Sequence, residues 1–227
     1  MTLISVVITT HKREPSIVER AVRSVLAQTY ENIELFVVDD SPSDYPYREE
    51  VRKTVEKYAD KNVKYIEHEQ CMGACAARNT GLEHCSGEFI AFLDDDDEWK
   101  PLKLEKQLRG FIEEKIALVY CAWEVKDDTT GVSIYPEFRC MSGKIYTELI
   151  KENFVGSTSY PLLRRSALEE IGGFDILMQS AQDFDVWLRL AQRYEVNYVN
   201  EPLAVYHIHA GERITTNNLK KINGLER

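Results

Sequence analysis

The chain has 227 residues, of which 44% are hydrophobic and 29% charged, an ordinary globular balance that suits one large domain or one domain with a small extension. Its formal net charge of -10 and sequence pI of about 5.1 argue against a protein that gains its affinity from broad contact with nucleic-acid phosphates, so an anionic ligand needs local neutralisation. No stretch approaches the roughly 20 apolar residues of a membrane span, and the opening MTLISVVITTHK lacks the charged region and cleavage site of a signal peptide. The five cysteines, an odd number, then read as reduced thiols, and the expected location is the cytoplasm.

Residues 4–9 form a continuous apolar, β-branched run that predicts a strand, and Ile17, Ala21, Val22, Val25 and Leu26 carry the spacing of an amphipathic helix over 17–28. The unit repeats. A strand over 33–38 is followed by the polar turn DDSPSDYP and a helix over 47–58; a strand over 63–66 by a loop and a helix over 75–85; a strand over 89–93 by an aspartate run and a helix over 102–114. Successive βα units imply a parallel sheet with right-handed crossovers and helices on both faces. Ligands bind such sheets outside the carboxyl ends of the strands. The clusters HKRE, DDSPSD, CMGACAARN and DDDDEW each follow a strand, so all open on one edge.

Beyond a further strand over 118–123 the regularity weakens. VKDDTTGVSIYPEF reads as a hairpin or meander, 146–151 as a short helix, 158–163 as extended chain, and 166–171 as a helix ended by Gly172-Gly173. QDFDVWLRLAQRY reads as a helix with Trp187, Leu188 and Leu190 in the core; 196–198 and 204–209 read as two short strands, and the polar tail from Glu212 as helical. No repeat or linker interrupts the chain. It is expected to be a single domain over 1–227, whose second half covers the ligand edge.

The segment FLDDDDEWKP poses the chemical question, because four adjacent aspartates repel one another unless a cation sits among them. On extended backbone Asp94 and Asp96 point the same way, toward one hard divalent cation, Mg2+ or Mn2+, while Asp95 and Asp97 point elsewhere or cap the following turn. A solvated acidic turn at the head of the next helix is the plainer alternative. His68, Cys71, Cys75, His84 and Cys85 have no standard zinc spacing.

Six blocks in order then carry a resemblance: SVVITTHKRE, VVDDSPSD, GACAARNTG, FLDDDDEWKPLKLEKQ, GGFD with QDFDVWLR, and YHIHAGE. Together they resemble the family 2 glycosyltransferases over nearly the whole chain. The resemblance implies a GT-A fold, an α/β architecture with a Rossmann-like, mostly parallel central sheet flanked by helices and a smaller acceptor-side mixed region. Residues 1–123 would be the nucleotide-sugar half and 124–227 the acceptor half. The implied activity is inverting transfer of a sugar from a nucleotide-diphosphate sugar, UDP-sugar favoured, to a hydroxyl of a glycan or lipid-linked acceptor, with Mn2+ or Mg2+. A lipid-linked acceptor would bring peripheral membrane association at the inner face; no nucleic-acid partner is implied.

Residue by residue, the resemblance assigns Thr9 and His11 to the base pocket and Asp39 to the imide of uracil. Arg13, Arg78 and Asp95 are assigned to the nucleotide, Asp94, Asp96 and His209 to the metal, with Asp96 the more direct ligand, and Asp183 to the general base. Four departures stand out: Gln182 replaces the usual Glu, His11 a Tyr, Lys12 an Asn, and His207 a frequent Arg. Asp183 has a structural alternative as a helix N-cap, and Asp39 as a turn cap. Gln182 also leaves open a non-catalytic nucleotide-sugar-binding or scaffold domain of the same fold. A nucleotidyltransferase fits least, because TTHKREPS holds no glycine for a phosphate loop.

Overall fold

The computed structural model describes residues 1–208. Strands β1 (Ile4–Thr10), β2 (Ile33–Asp39), β3 (Val63–Glu67) and β4 (Phe89–Asp94) alternate with helices α1 (Pro15–Leu26), α2 (Arg48–Glu56) and α3 (Ala74–His84). A short β5 (Glu98–Trp99) precedes α4 (Lys103–Leu108), and β6 (Ile116–Asp127), β7 (Ser133–Ile134), α5 (Tyr146–Leu149), β8 (Leu162–Arg164), α6 (Arg165–Glu170), α7 (Gln182–Arg193) and β9 (Glu195–Ile208) follow. The sheet order is β3-β2-β1-β4-β8-β6-β9-β5, with β7 beside β6. The first four strands in that order are parallel, as the βα periodicity predicts; β8 enters antiparallel between β4 and β6.

Alternation along β1 divides the core between the two faces of the sheet. Ile4, Val6 and Ile8 pack with Val18, Val22 and Val51 of α1 and α2, whereas Val7 packs with Phe36, Ala77 and Leu82 beneath α3. Burial on both faces is why these strands read as continuous apolar runs. Gly81 permits the close approach of α3 to β1, since a Cβ there would lie 2.3 Å from Val7 Cγ1. Trp99 and Trp187 are the largest fully buried side chains. Lys103 is buried as well: its ammonium lies 4.0 Å from the centroid of the Trp99 ring, and burial lowers its pKa to about 8.

Two expected elements change form. The fourth helix stops at Leu108 rather than Glu114, because Gly110 abuts β6 so closely that a Cβ would lie 2.8 Å from Val119 Cγ1, and Phe111 turns back onto Phe89 with ring centroids 4.4 Å apart. The two short strands expected after α7 are one strand, β9, paired along β6 from Ile116 to Asp127. Register shifts on either side of Ala122 absorb the Asn200–Pro202 segment, where the proline ring has no N–H to give a ladder. The hairpin expected after β6 is formed, its turn held by Thr129 and Thr130 amides donating to Asp127 Oδ1 at 2.8 and 3.0 Å. His209 and the tail from Glu212 lie outside the described residues. No helix among the described residues is long and apolar enough to cross a membrane.

Candidate functional site

Register brings the polar ends of the strands level, since Thr9 pairs with Asp94, Thr10 with Asp39, and Asp39 with Glu67. Past β4 the chain leaves the extended backbone expected of it: the Asp97 amide donates to the Asp94 carbonyl at 3.0 Å and closes a turn over Asp95 and Asp96. Asp94 and Asp96 are half-buried at the mouth, whereas Asp95 and Asp97 are buried, an arrangement set by this turn rather than by a pleat. Arg13, after β1, donates from Nε to Asp95 Oδ1 (2.9 Å) and from Nη2 to Asp96 Oδ2 (2.8 Å), while Arg20 Nη2 donates to the Asp96 carbonyl (2.7 Å). Arg78 Nη2 donates to Asp94 Oδ1 at 2.9 Å. Asp95 is thus a buried partner of Arg13, and its influence on any ligand runs through that arginine. Burial still raises the Asp95 carboxyl to about 6, against the opposing charge of Arg13.

At the end of β2, Asp39 accepts the Tyr65 hydroxyl (2.7 Å) and the Ser41 amide (2.7 Å), so it does cap its turn, using one bond on each oxygen. Asp40 fastens the loop before α3. Its carboxylate accepts the Met72 and Gly73 amides at 2.7 and 2.8 Å, with His68 Nδ1 at 2.7 Å. His11 Nδ1 lies 2.9 Å from the Asp40 carbonyl and 3.5 Å from Cys71 Sγ. His11, Asp40 and Cys71 form a cluster of metal-ligating types, but the Asp40 oxygens are already engaged by three donors. His68 is held between Asp40 and Thr80, with Nδ1 2.7 Å from Asp40 Oδ1 and Nε2 2.9 Å from Thr80 Oγ1.

The opposite wall comes from the loop before β8, which sequence reasoning missed. Ser157 Oγ donates to Asp94 Oδ2 and Thr158 Oγ1 to Asp94 Oδ1, both at 3.1 Å, and the Asp94 amide donates to Ser159 Oγ at 3.1 Å. Two indoles set this loop in place: Trp187 Nε1 donates to the Gly156 carbonyl and Trp99 Nε1 to the Ser159 carbonyl, each at 2.8 Å. Scattered hydroxyls have no periodicity, so GSTS carried no signal in the sequence.

Helix α7 begins at Gln182, with Ala181 as N-cap in the left-handed region (φ 54°), so Asp183 stands in the first turn rather than at the cap. A non-glycine residue there costs about 1–2 kcal/mol, and Lys12 at φ 51° carries the same strain on the other side of the site. Arg78 ties the two sides together. Its Nη1 donates to Gln182 Oε1 at 2.9 Å while Nη2 holds Asp94, and the guanidinium carbon lies 5.4 Å from the Phe174 ring centroid. Asp183 Oδ1 accepts the Phe184 amide (2.8 Å); burial raises its carboxyl above the ordinary range, Asp94 adds to that, and Arg78 opposes it.

Residues 5–172 match the family described as Glycosyl transferase family 2. The chain belongs to that family. As a family 2 glycosyltransferase it is 32% identical to the Escherichia coli protein named UDP-Glc:alpha-D-GlcNAc-diphosphoundecaprenol beta-1,3-glucosyltransferase WfgD, over 87% of this chain and 73% of that protein. It is 29% identical to a second E. coli protein of the same named activity, WfaP, over 98% of this chain and 83% of that one. The fold is GT-A: the structure of S. aureus TarS 1-349 in complex with UDP-GlcNAc superposes with TM-score 0.76 at 20% identity, over 95% of this chain and 61% of that chain. Mannosyltransferase PcManGT from Pyrobaculum calidifontis, solved with GDP-Man and Mn2+, superposes with TM-score 0.67 at 21% identity, over 93% and 58%. This chain therefore spans less than two thirds of those two solved chains.

In this glycosyltransferase one aspartate lacks a partner. Neither oxygen of buried Asp97 forms a hydrogen bond among the described residues. Burial, then the charges of Asp94 and Asp96, raise its carboxyl well above the ordinary range, and Ser159 opposes this without completing a bond. A folded-state pKa above the unfolded one means that the native state binds the extra proton, so stability is lost as pH rises from the unfolded value toward the folded one. Asp97→Asn is expected to raise the melting temperature in EDTA by at least the ~2–4 °C that 1 kcal/mol is worth in a domain of this size. Thermal melts at pH 4 and pH 8 should show the larger gain at pH 8; an equal gain at both would refute the assignment.

Proposed function

We propose that the chain transfers a sugar, with inversion, from a nucleoside-diphosphate sugar to a hydroxyl of a glycan or lipid-linked acceptor, and that a UDP-sugar is the donor. The observation that carries this reading is Arg78, which joins Asp94 at the end of the parallel sheet to Gln182, the neighbour of Asp183. Donor and acceptor chemistry thereby share one cleft. The two E. coli relatives are named for UDP-Glc and a diphosphoundecaprenol-linked acceptor, which supports the donor and acceptor classes.

The donor set fits a hard divalent cation, Mn2+ or Mg2+: Asp94 and Asp96 offer half-buried carboxylate oxygens from one turn at the mouth. His209, assigned to the same cation, lies outside the described residues. When bound, the cation supplies Lewis-acid stabilisation of charge building on the departing diphosphate. Thr9 and His11 lie at the β1 end for the base, and Asp39, buried at the end of β2 with Ser41 and Tyr65 on its oxygens, is the residue assigned to the imide. Arg13 and Arg78 supply the positive charge that an acidic protein needs to hold a diphosphate. Asp183 takes the acceptor hydroxyl proton as that oxygen attacks the anomeric carbon opposite the leaving group, and a carboxyl raised by burial is the better base. Residues 1–123 bind the donor and 124–227 the acceptor.

Calorimetric titration with UDP, GDP and dTDP, each with Mn2+ and with EDTA, tests this. Metal-dependent binding of UDP is the expected result; no binding of any of the three by folded protein overturns it.

A further inference from the structure

The carboxylate that the proposed function gives to the cation already has one. Arg13 spans Asp95 and Asp96 with a two-point contact, and its side chain is 18% exposed. Lys12 adopts its left-handed turn with its amide on Ser41 Oγ (2.8 Å), which turns the chain and sends Arg13 across to residues 82 and 83 positions away in sequence. Arg78 meets Asp94 through a single contact, Nη2 to Oδ1 at 2.9 Å. Both mouth carboxylates are therefore neutralised by the protein itself. A dication arriving alone must displace or crowd Arg13 and meets the repulsion of two guanidinium groups. A dication arriving with a diphosphate brings the negative charge to which Arg13 can turn, and a guanidinium bonds phosphate as readily as carboxylate.

We propose that Arg13 is an internal counter-cation for Asp96, which hands that carboxylate over only when metal and nucleoside diphosphate arrive together. This rests on the donor-site reading above and adds an order to it: the metal alone binds weakly, and metal and diphosphate bind cooperatively. Linkage makes the coupling reciprocal, so Mn2+ tightens UDP by the factor by which UDP tightens Mn2+.

The test measures Mn2+ alone by electron paramagnetic resonance, and UDP with and without Mn2+ by calorimetry, on the wild type, Arg13→Gln and Arg13→Lys. In the wild type saturating UDP should tighten Mn2+ within the ~5–150-fold range of ordinary couplings. Arg13→Gln should tighten Mn2+ alone by roughly tenfold, the scale of one neighbouring charge, while weakening UDP in the presence of Mn2+, so that the coupling collapses. A residue that merely binds nucleotide moves only the second quantity. Arg13→Lys keeps the charge but not the fork and should fall between; it carries the test if circular dichroism shows that the glutamine variant does not fold. Mn2+ alone binding no more tightly to either folded variant than to a wild type that still binds Mn2+ with UDP overturns this inference and spares the donor site. A wild type that binds no UDP with Mn2+ overturns both.

Discussion

Asp96→Asn is expected to abolish metal-dependent nucleotide binding. Calorimetry with UDP and Mn2+ should show an affinity lower by more than the ~100-fold that loss of an outer-shell partner of a metal typically causes, because the proposed role of Asp96 is that of a ligand rather than of its support. The fold should survive. Asp96 is half-buried, and its side chain is engaged with Arg13 at the mouth of the cleft, so thermal unfolding should register no more than the ~1 kcal/mol of a part-exposed ion pair. The two readings of the acidic run separate here, since a solvated turn predicts the small stability loss and no change in binding. Retention of UDP binding with Mn2+ by Asp96→Asn would return the segment to that plainer role.

Asp183→Asn should leave UDP and Mn2+ binding within about twofold of the wild type and lower turnover by ~10²–10⁴-fold, the worth of a positioned general base. Asn is nearly isosteric and its side-chain carbonyl can still accept the Phe184 amide, so α7 keeps its start. The pH profile gives a second readout. Asp183 works as a base only when ionised, so wild-type kcat/KM should fall as pH drops through its pKa, and that acid limb should lie above the ordinary 3.8 because burial and Asp94 both raise the group. In Asp183→Asn the limb should vanish. An unchanged limb would move the base elsewhere in the cleft.

Gln182 looked in the sequence like a sign of lost chemistry, and the structure shows its contacts. Its Oε1 accepts Arg78 and its Nε2 donates to the Met178 carbonyl at 3.0 Å, so the amide fills the bridging position and adds no negative charge beside Asp183. A glutamate there would form an ion pair with Arg78 and draw its charge away from Asp94. The scaffold alternative gains no support from these contacts.

Much of the molecule was legible because it depends on near neighbours along the chain. Apolar β-branched runs buried on both faces, amphipathic spacing in α1 and α7, and polar residues at the carboxyl ends of β1, β2 and β4 are all short-range signals, and they placed Thr9, Asp39 and the acidic run on one edge. The turn that Asp94 to Asp97 close in place of a continued pleat was not among them. Where a helix ended or two strand segments merged was set by distant surfaces: Val119 stops α4 at Gly110, and β6 draws residues 195–208 into one strand.

The partners of the site residues were decided only by tertiary structure. Arg13 meets Asp95 across 82 positions and Arg78 meets Gln182 across 104, pairings that exist because β4 lies beside β1 and because α3 and α7 contribute to one core cluster. Ser157 and Thr158 reach Asp94 because two tryptophans from separate elements hold their loop. Residue type and strand position announce that a carboxylate sits at a ligand edge; which cation neutralises it depends on the order of strands in the sheet, and no local pattern encodes that order.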